Sequence, residues 1–301
     1  MIIYTSSNIG TRDKNEDNHS VVLNSRGDNN NMYPINLFAV YDGHGGDEIS
    51  AFLKKELPKY FMSTKTKQTF PLSKTFVNKV FDHITNKIIT EYFSDAKETG
   101  STCLVVIHFN DGKHSYLQVF NVGDSRAVLS CNGMAVALTK DHKPNWPDEK
   151  KRLLQLNNTT KHKNKIYFDG YDWRICDLSV SRAIGDLESK PYISHTPDIF
   201  TYQLSHNNQF LVIACDGLWD VLSNQDVVNF ILEHMKDKQI YNSNEYKIKT
   251  HNYVTHTAFI SNILSDVNKP KEDTINIAEK IGKYAISKGS LDNVTVIIIF
   301  F

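Results

Sequence analysis

Short apolar runs recur along this chain of 301 residues, and the sharpest of them end in an acid. Phe38-Ala39-Val40-Tyr41 leads directly into Asp42-Gly43-His44-Gly45-Gly46, and Leu211-Val212-Ile213-Ala214-Cys215 leads into Asp216-Gly217. An unbroken apolar run of this length predicts a strand buried on both faces, so each acid stands at the tip of a rigid core strand. The glycines after Asp42 remove side chains where a small ion or a phosphate would approach the backbone. A hairpin turn is the plainer reading of one Asp-Gly pair, and the second copy of the pattern counts against it. Asp124 follows the strand expected at 116–122, and Asp292 precedes the last apolar run, 294–301.

The same periodicities assign the other segments. Residues 2–7 read as an edge strand. The polar stretch 10–18, which holds Arg12, Glu16 and Asp17, leads into a short strand at 20–23 and a polar loop at 25–34. A helix begins near Asp47, with Ile49, Phe52, Leu53 and Leu57 on one face and Pro58 limiting its continuation. Phe76, Val80, Ile84 and Ile88 mark a second helix over 72–93. Strands follow at 103–109, 116–122, 126–130 and 134–138, the last two joined by an Asn132-Gly133 turn, which argues for antiparallel sheet. Residues 141–174 are polar and basic, with a short helix near 148–156, and read as a surface flap. After the strand at 210–215 come a helix over 223–235 and a segment, 236–272, without clear period until Phe259-Ile260-Ile263-Leu264, much of which reads as an insertion or mobile loop. A helix over 275–286 and the final strand complete the chain. With no repeat and no break in composition, residues 1–301 are expected to form a single domain.

Composition narrows the function. Lys plus Arg and Asp plus Glu are equal at 34 each, so no basic surplus argues for nucleic acid or an anionic membrane as partner. Cys103, Cys131, Cys176 and Cys215 are far apart and show no zinc or redox spacing, as expected of reduced thiols. The first residues lack the basic and long apolar regions of a signal peptide, and no run is long enough for a membrane span. A cytoplasmic or nuclear protein acting as a monomer is expected.

If the strand ends share one rim, Glu16, Asp42, Asp216 and Asp292 crowd four carboxylates together, and such a group either takes up protons or binds cations. An oxygen-only donor set favours Mg²⁺ or Mn²⁺ over Zn²⁺. Two such ions roughly 3.5–4 Å apart can share a water, lower its pKa and present it as hydroxide to a phosphorus–oxygen bond. No covalent nucleophile is then required.

Eight stretches, in order, carry a specific resemblance. They are Arg12 with Glu16-Asp17, the run 40–46, Gly100-Ser101-Thr102, Asn121-Val122-Gly123-Asp124-Ser125-Arg126, Asp141-His142-Lys143-Pro144, Ser181-Arg182-Ala183-Ile184-Gly185-Asp186, Cys215-Asp216-Gly217-Leu218-Trp219-Asp220, and Ser290-Leu291-Asp292-Asn293. Together they resemble the type-2C, metal-dependent serine/threonine protein phosphatases from about residue 4 to the end.

The resemblance implies an α+β fold, a four-layer α/β/β/α sandwich of two antiparallel sheets flanked by helices. It implies hydrolysis of phosphoserine and phosphothreonine in proteins by a metal-bridging water or hydroxide. In that scheme Asp42 bridges two ions, Asp216 and Asp292 bind the first, and Glu16 with the Gly43 carbonyl binds the second. Arg12 holds the substrate phosphate, His44 protonates the leaving alkoxide, and Asp17 orients water. Asp124, with Asp216 and Thr102, matches a weaker third metal site, and Asn293 and Asp220 act as supports. The chain departs from the family pattern at Cys176, where a glycine is usual, at Asn157-Asn158-Thr159-Thr160, where a glycine pair is usual, and in the length of 236–272. The rival readings are a catalytically silent binding scaffold, which such relatives become by losing metal-site acids, and a two-metal hydrolase of another phosphoester.

Overall fold

The computed structural model describes residues 1–25, 34–62, 69–160, 163–235 and 276–301. The expected insertion at 236–272 lies outside these residues, as does most of the expected loop at 25–34.

Two five-stranded sheets, antiparallel at every pairing, lie at the centre. One has the order β13 (Asp198–Gln203), β7 (Ser115–Val122), β6 (Cys103–Asn110), β3 (Ile35–Tyr41), β2 (Asn18–Ser25). The other runs β1 (Ile2–Asn8), β15 (Val294–Phe300), β14 (Asn208–Ala214), β8 (Arg126–Cys131), β9 (Met134–Ala137). The expected edge strand at the N-terminus is an edge, and Asn132 and Gly133 make the β8–β9 turn with φ of 49° and 78°. Both positive values suit an Asn-Gly pair.

Strand side chains alternate between faces, and here both faces are covered. Phe38, Val40, Leu104, Val106, Leu117 and Val119 of the first sheet meet Leu211, Ile213, Ile297 and Ile299 of the second in a central apolar layer. The alternate residues Leu37, Ala39, Tyr41, Val105 and Ile107 pack against α1 (Glu48–Phe61) and α2 (Lys74–Glu91). On the far side Val212, Ala214, Val296 and Ile298 pack against α4 (Asp216–Trp219), α5 (Asn224–Met235) and α6 (Ile277–Ser287). The result is the helix–sheet–sheet–helix stack that the unbroken apolar strands require. Helix α1 does not stop at Pro58 but continues to Phe61. Phe61 is fully buried, its ring 5.1 Å from that of Phe120, and this packing outweighs the donor that proline removes. Among the described residues no helix is long and apolar enough to cross a membrane.

The segment expected as a surface flap is more tightly built than its composition suggests. It holds α3 (Pro147–Thr159) and a hairpin of β10 (Tyr167–Phe168) with β11 (Trp173–Arg174), and its Leu153 joins Ile175, Val180, Ala183, Tyr192 and Ile193 of the chain that follows in a small core. Buried Glu149 anchors its base, accepting hydrogen bonds from Arg152, Arg182 and the Ser181 hydroxyl. Burial alone would raise the Glu149 carboxyl, but the two guanidinium groups bring it down to about 2. A further small sheet of β4 (Gly43–His44), β5 (Gly100–Ser101) and β12 (Ile184–Gly185) ties the end of the segment to the turn after Asp42.

Cys176, at the exit of the flap, has φ of 50°, in the left-handed region that favours glycine. The backbone keeps the bend that a glycine serves and Cys176 carries a strain of about 1–2 kcal/mol. Cys176→Gly is therefore expected to leave the unfolding temperature unchanged or raised, because relief of strain offsets roughly 0.5–1 kcal/mol of glycine backbone entropy. Cys176→Val, branched at Cβ, is expected to lower it, and thermal unfolding of the two variants checks both signs.

Candidate metal centre

Three acids from distant strand ends converge. Asp42 follows β3, Asp124 lies in the turn between β7 and β8, and Asp216 opens α4 directly after β14. One oxygen from each lies within 4.8 Å of the others. Asp17, Asp42 and the Cys215 thiol form a second group of the same compactness. The backbone that presents Asp42 is fixed on both sides: its N–H donates to Thr102 Oγ1 at 3.1 Å, and Thr102 N–H donates to its carbonyl at 2.8 Å. A side chain on Gly43 would collide with the Glu16 carbonyl oxygen, so this glycine admits a neighbouring chain segment as well as any ligand.

Crowding and burial show in the proton affinities. Burial, then the charges of Asp216, Asp17 and Asp124, push the Asp42 carboxyl well above its ordinary value. Asp216 is likewise raised, by burial and by Asp124, against the opposing charge of Lys143. Asp17 is pushed up to about 6, chiefly by burial, and its Oδ2 is buried without a hydrogen-bond partner. Acids in this condition take up protons or bind cations, and oxygen donors suit Mg²⁺ or Mn²⁺. The lone sulfur does not alter that preference. Burial and the charges of Asp17 and Asp42 raise the Cys215 thiol well above its ordinary value, so it stays protonated.

The other expected residues surround this centre. Glu16 and Asp292 are not among the tight groups. Glu16 is held through its backbone, its N–H donating to Asn293 Oδ1 at 2.9 Å and its carbonyl accepting from Ser50 Oγ at 2.5 Å. Asp292 accepts from the Asn293 N–H at 2.7 Å and from Arg12 Nη2 at 2.8 Å. The structure thus pairs two residues to which the sequence assigns separate tasks. Both are partly exposed, and an exchange of this ion pair for a phosphate costs little. Asn293 also donates to the carbonyls of Ile9 and Lys14, which makes it the clamp of the loop that carries Arg12 and Glu16. The Thr102 hydroxyl is engaged by the Asp42 N–H and by Ser125 Oγ, so it supports Asp42. Asp220 stands at the rim, its carboxyl raised to about 6 by partial desolvation and by the charges of Asp124, Asp172 and Asp141, against the opposing charge of Lys143.

Two residues with no role in the sequence reading join the site. Both lie in stretches that carried the family resemblance, yet nothing local marked them. Asp186, 2% exposed and with φ of 48°, sets both carboxylate oxygens 2.9 Å from His44 Nε2. Burial lowers the His44 imidazole, but the hydrogen bond and charge of Asp186 prevail and raise it above its ordinary value. Gly100 makes the pairing fit, since a Cβ there would strike Asp186 Oδ2 and His44 Nε2. Lys143 places its ammonium 2.6 Å from Asp124 Oδ2.

Similarity to known proteins points the same way. A "PP2C-like domain-containing protein" of Acanthamoeba polyphaga mimivirus is 46% identical over 192 residues, 64% of this chain and 98% of that protein. A "Probable protein phosphatase 2C 7" of Oryza sativa subsp. japonica is 30% identical over 98% of this chain, which spans 64% of the relative's length. Among solved structures, a serine-threonine phosphatase 2C from Toxoplasma gondii has a TM-score of 0.71 at 19% identity, covering 99% of this chain and 94% of that one. A sex-determining protein of C. elegans has a TM-score of 0.76 at 22% identity, over 99% of this chain and 64% of its own. The model of the protein phosphatase 2C family matches residues 4–294, and the chain belongs to this family, whose general activity is metal-dependent serine/threonine phosphatase.

Proposed function

We propose that the protein hydrolyses phosphoserine and phosphothreonine in phosphorylated proteins, with Mg²⁺ or Mn²⁺ as resident ions. The observation that carries this reading is the meeting of Asp42, Asp124 and Asp216 within 4.8 Å beside a histidine held by a buried acid. Asp42, Asp216 and Asp292, together with Glu16 and the Gly43 carbonyl, are the residues that would hold two ions, and Asp124 the side of a third. Bound ions of this kind supply Lewis-acid activation of water and neutralise the charge of the phosphate.

The chain's own residues do the rest. Arg12, 56% exposed in its side chain, can leave Asp292 and present its planar fork to a phosphate dianion. With Nε2 of His44 donating to Asp186, Nδ1 is the nitrogen left to deliver a proton to the departing alkoxide. Asp186 acts as a positioning residue that keeps the ring oriented and charged. Asp17, next to Asp42 and with a free oxygen, would order water at the centre.

Asp42→Asn and Asp216→Asn are expected to abolish Mn²⁺-dependent release of phosphate from a phosphoserine peptide while far-ultraviolet circular dichroism stays that of the native chain. A phosphoserine turnover that survives either change overturns the reading.

Asp186→Asn is expected to slow phosphoserine peptides by about 10²-fold. It should slow an aryl phosphate far less, because an aryl oxide leaves without a proton; His44→Ala shares this signature. Equal loss on both substrates assigns Asp186 to the scaffold alone.

The raised carboxyls make metal and proton competitors. The rise in unfolding temperature produced by Mn²⁺ is expected to shrink as the pH falls, because burial and crowding raise the carboxyls of Asp42, Asp216 and Asp17, the last to about 6, and their protonation opposes the metal. Scanning calorimetry with and without Mn²⁺ measures this difference, from which groups remote from the centre cancel.

A further inference from the structure

A lysine stands where the acidic centre calls for a cation. Besides its contact with Asp124, the Lys143 ammonium lies 3.3 Å from Asp172 Oδ2 and 3.9 Å from Asp216 Oδ2, and the side chain is only 13% exposed. Asp124 is 1% exposed, and a carboxylate so buried is costly without a partner of opposite charge. Lys143 supplies that partner from within the chain.

The backbone leading into Lys143 is pinned to the turn that carries Asp124. His142 N–H donates to the Gly123 carbonyl, Gly123 N–H donates to His142 Nδ1, and Asn121 Nδ2 donates to the Lys140 carbonyl, all at 3.0 Å. Asp141 next to them receives two hydrogen bonds from Arg126, which is fixed in turn on Asn224. The main chain therefore cannot withdraw, and only the flexible four-carbon stem is free to move. Asp172 offers the ammonium an alternative on the solvent side. It sits in the β10–β11 hairpin, its N–H donating to Asp169 Oδ1 at 2.8 Å, and its side chain is 34% exposed.

We propose that Lys143 is a tethered counter-ion that competes with a divalent ion for the Asp124–Asp216 flank. An ion enters that flank only as the ammonium swings from Asp124 toward Asp172. Lys143 thereby sets the affinity of the weakest metal position and links its occupancy to the flap hairpin. The inference rests on the metal-dependent reading of the centre.

The test counts bound Mn²⁺ by titration calorimetry and electron paramagnetic resonance on the full chain and on K143M. The weakest site of K143M is expected to be at least about tenfold tighter than that of the unaltered chain, because a cation in contact with Asp124 has been removed, with a smaller gain at the site that shares Asp216. In the unaltered chain, mass spectrometry after labelling with an amine-reactive reagent is expected to show Lys143 modification rising as Mn²⁺ fills the weakest site. This second measurement decides the question if K143M does not fold. A weakest site in K143M no tighter than in the parent, or Lys143 labelling that stays flat at saturating Mn²⁺, overturns the proposal. Absence of Mn²⁺ binding at every site would instead overturn the metal-dependent reading itself.

Discussion

Mutual repulsion of carboxylates crowded together at one rim, one buried and two half-buried, is the constraint around which this molecule is arranged. Asp42, Asp124 and Asp216 have oxygens within 4.8 Å of one another in surroundings that solvate charge poorly. Free side chains would move apart or stay in water. These cannot, because each is attached to a strand or turn whose position is decided by apolar packing elsewhere. The central layer between the sheets and the two outer layers under the helices supply the free energy that holds the acids together. The centre is thus a place where the fold works against local electrostatics, and a cation relieves that opposition.

The same logic explains the polar apparatus around the acids. Thr102 holds the Asp42 backbone from two sides, and Asn293 joins the loop of Arg12 and Glu16 to the last strand. Gly43 and Gly100 lack side chains because chain segments and polar groups approach them too closely. Asp186 holds His44 from a left-handed backbone position, and Glu149 gathers two arginines at the base of the flap. Around the rim, buried Glu149, Asp141 and Asp186 are each matched by an opposite charge or by hydrogen bonds, which keeps the surroundings of the site rigid.

Much of the architecture was legible along the chain because it depends on short-range periodicity. Runs such as 38–41 and 210–215 read as strands covered on both faces, and the stripes of α1, α2 and α6 repeat at helical spacing. The acids at strand tips were visible for the same reason. Pro58 misled, since a local rule of helix termination says nothing of the aromatic contact that carries the helix on to Phe61. The flap misled too, since Leu153 within it packs against Ile175, Val180, Ala183, Tyr192 and Ile193, which follow it in the chain, and its base is held by an ion network whose members are about 30 residues apart.

What the sequence determined by itself is therefore the inventory: which segments are strands or helices, and which acids stand at their ends. Tertiary structure alone decided the pairings. Arg12 meets Asp292 across 280 positions, His44 meets Asp186 across 142, and Lys143 reaches Asp124 and Asp172 from a stretch that reads as an ordinary basic flap. The physical reason is that periodicity is a property of neighbours along the chain. The distance between two side chains on different strands is set by register and by the packing of one sheet on another, and these emerge only when the whole core is assembled.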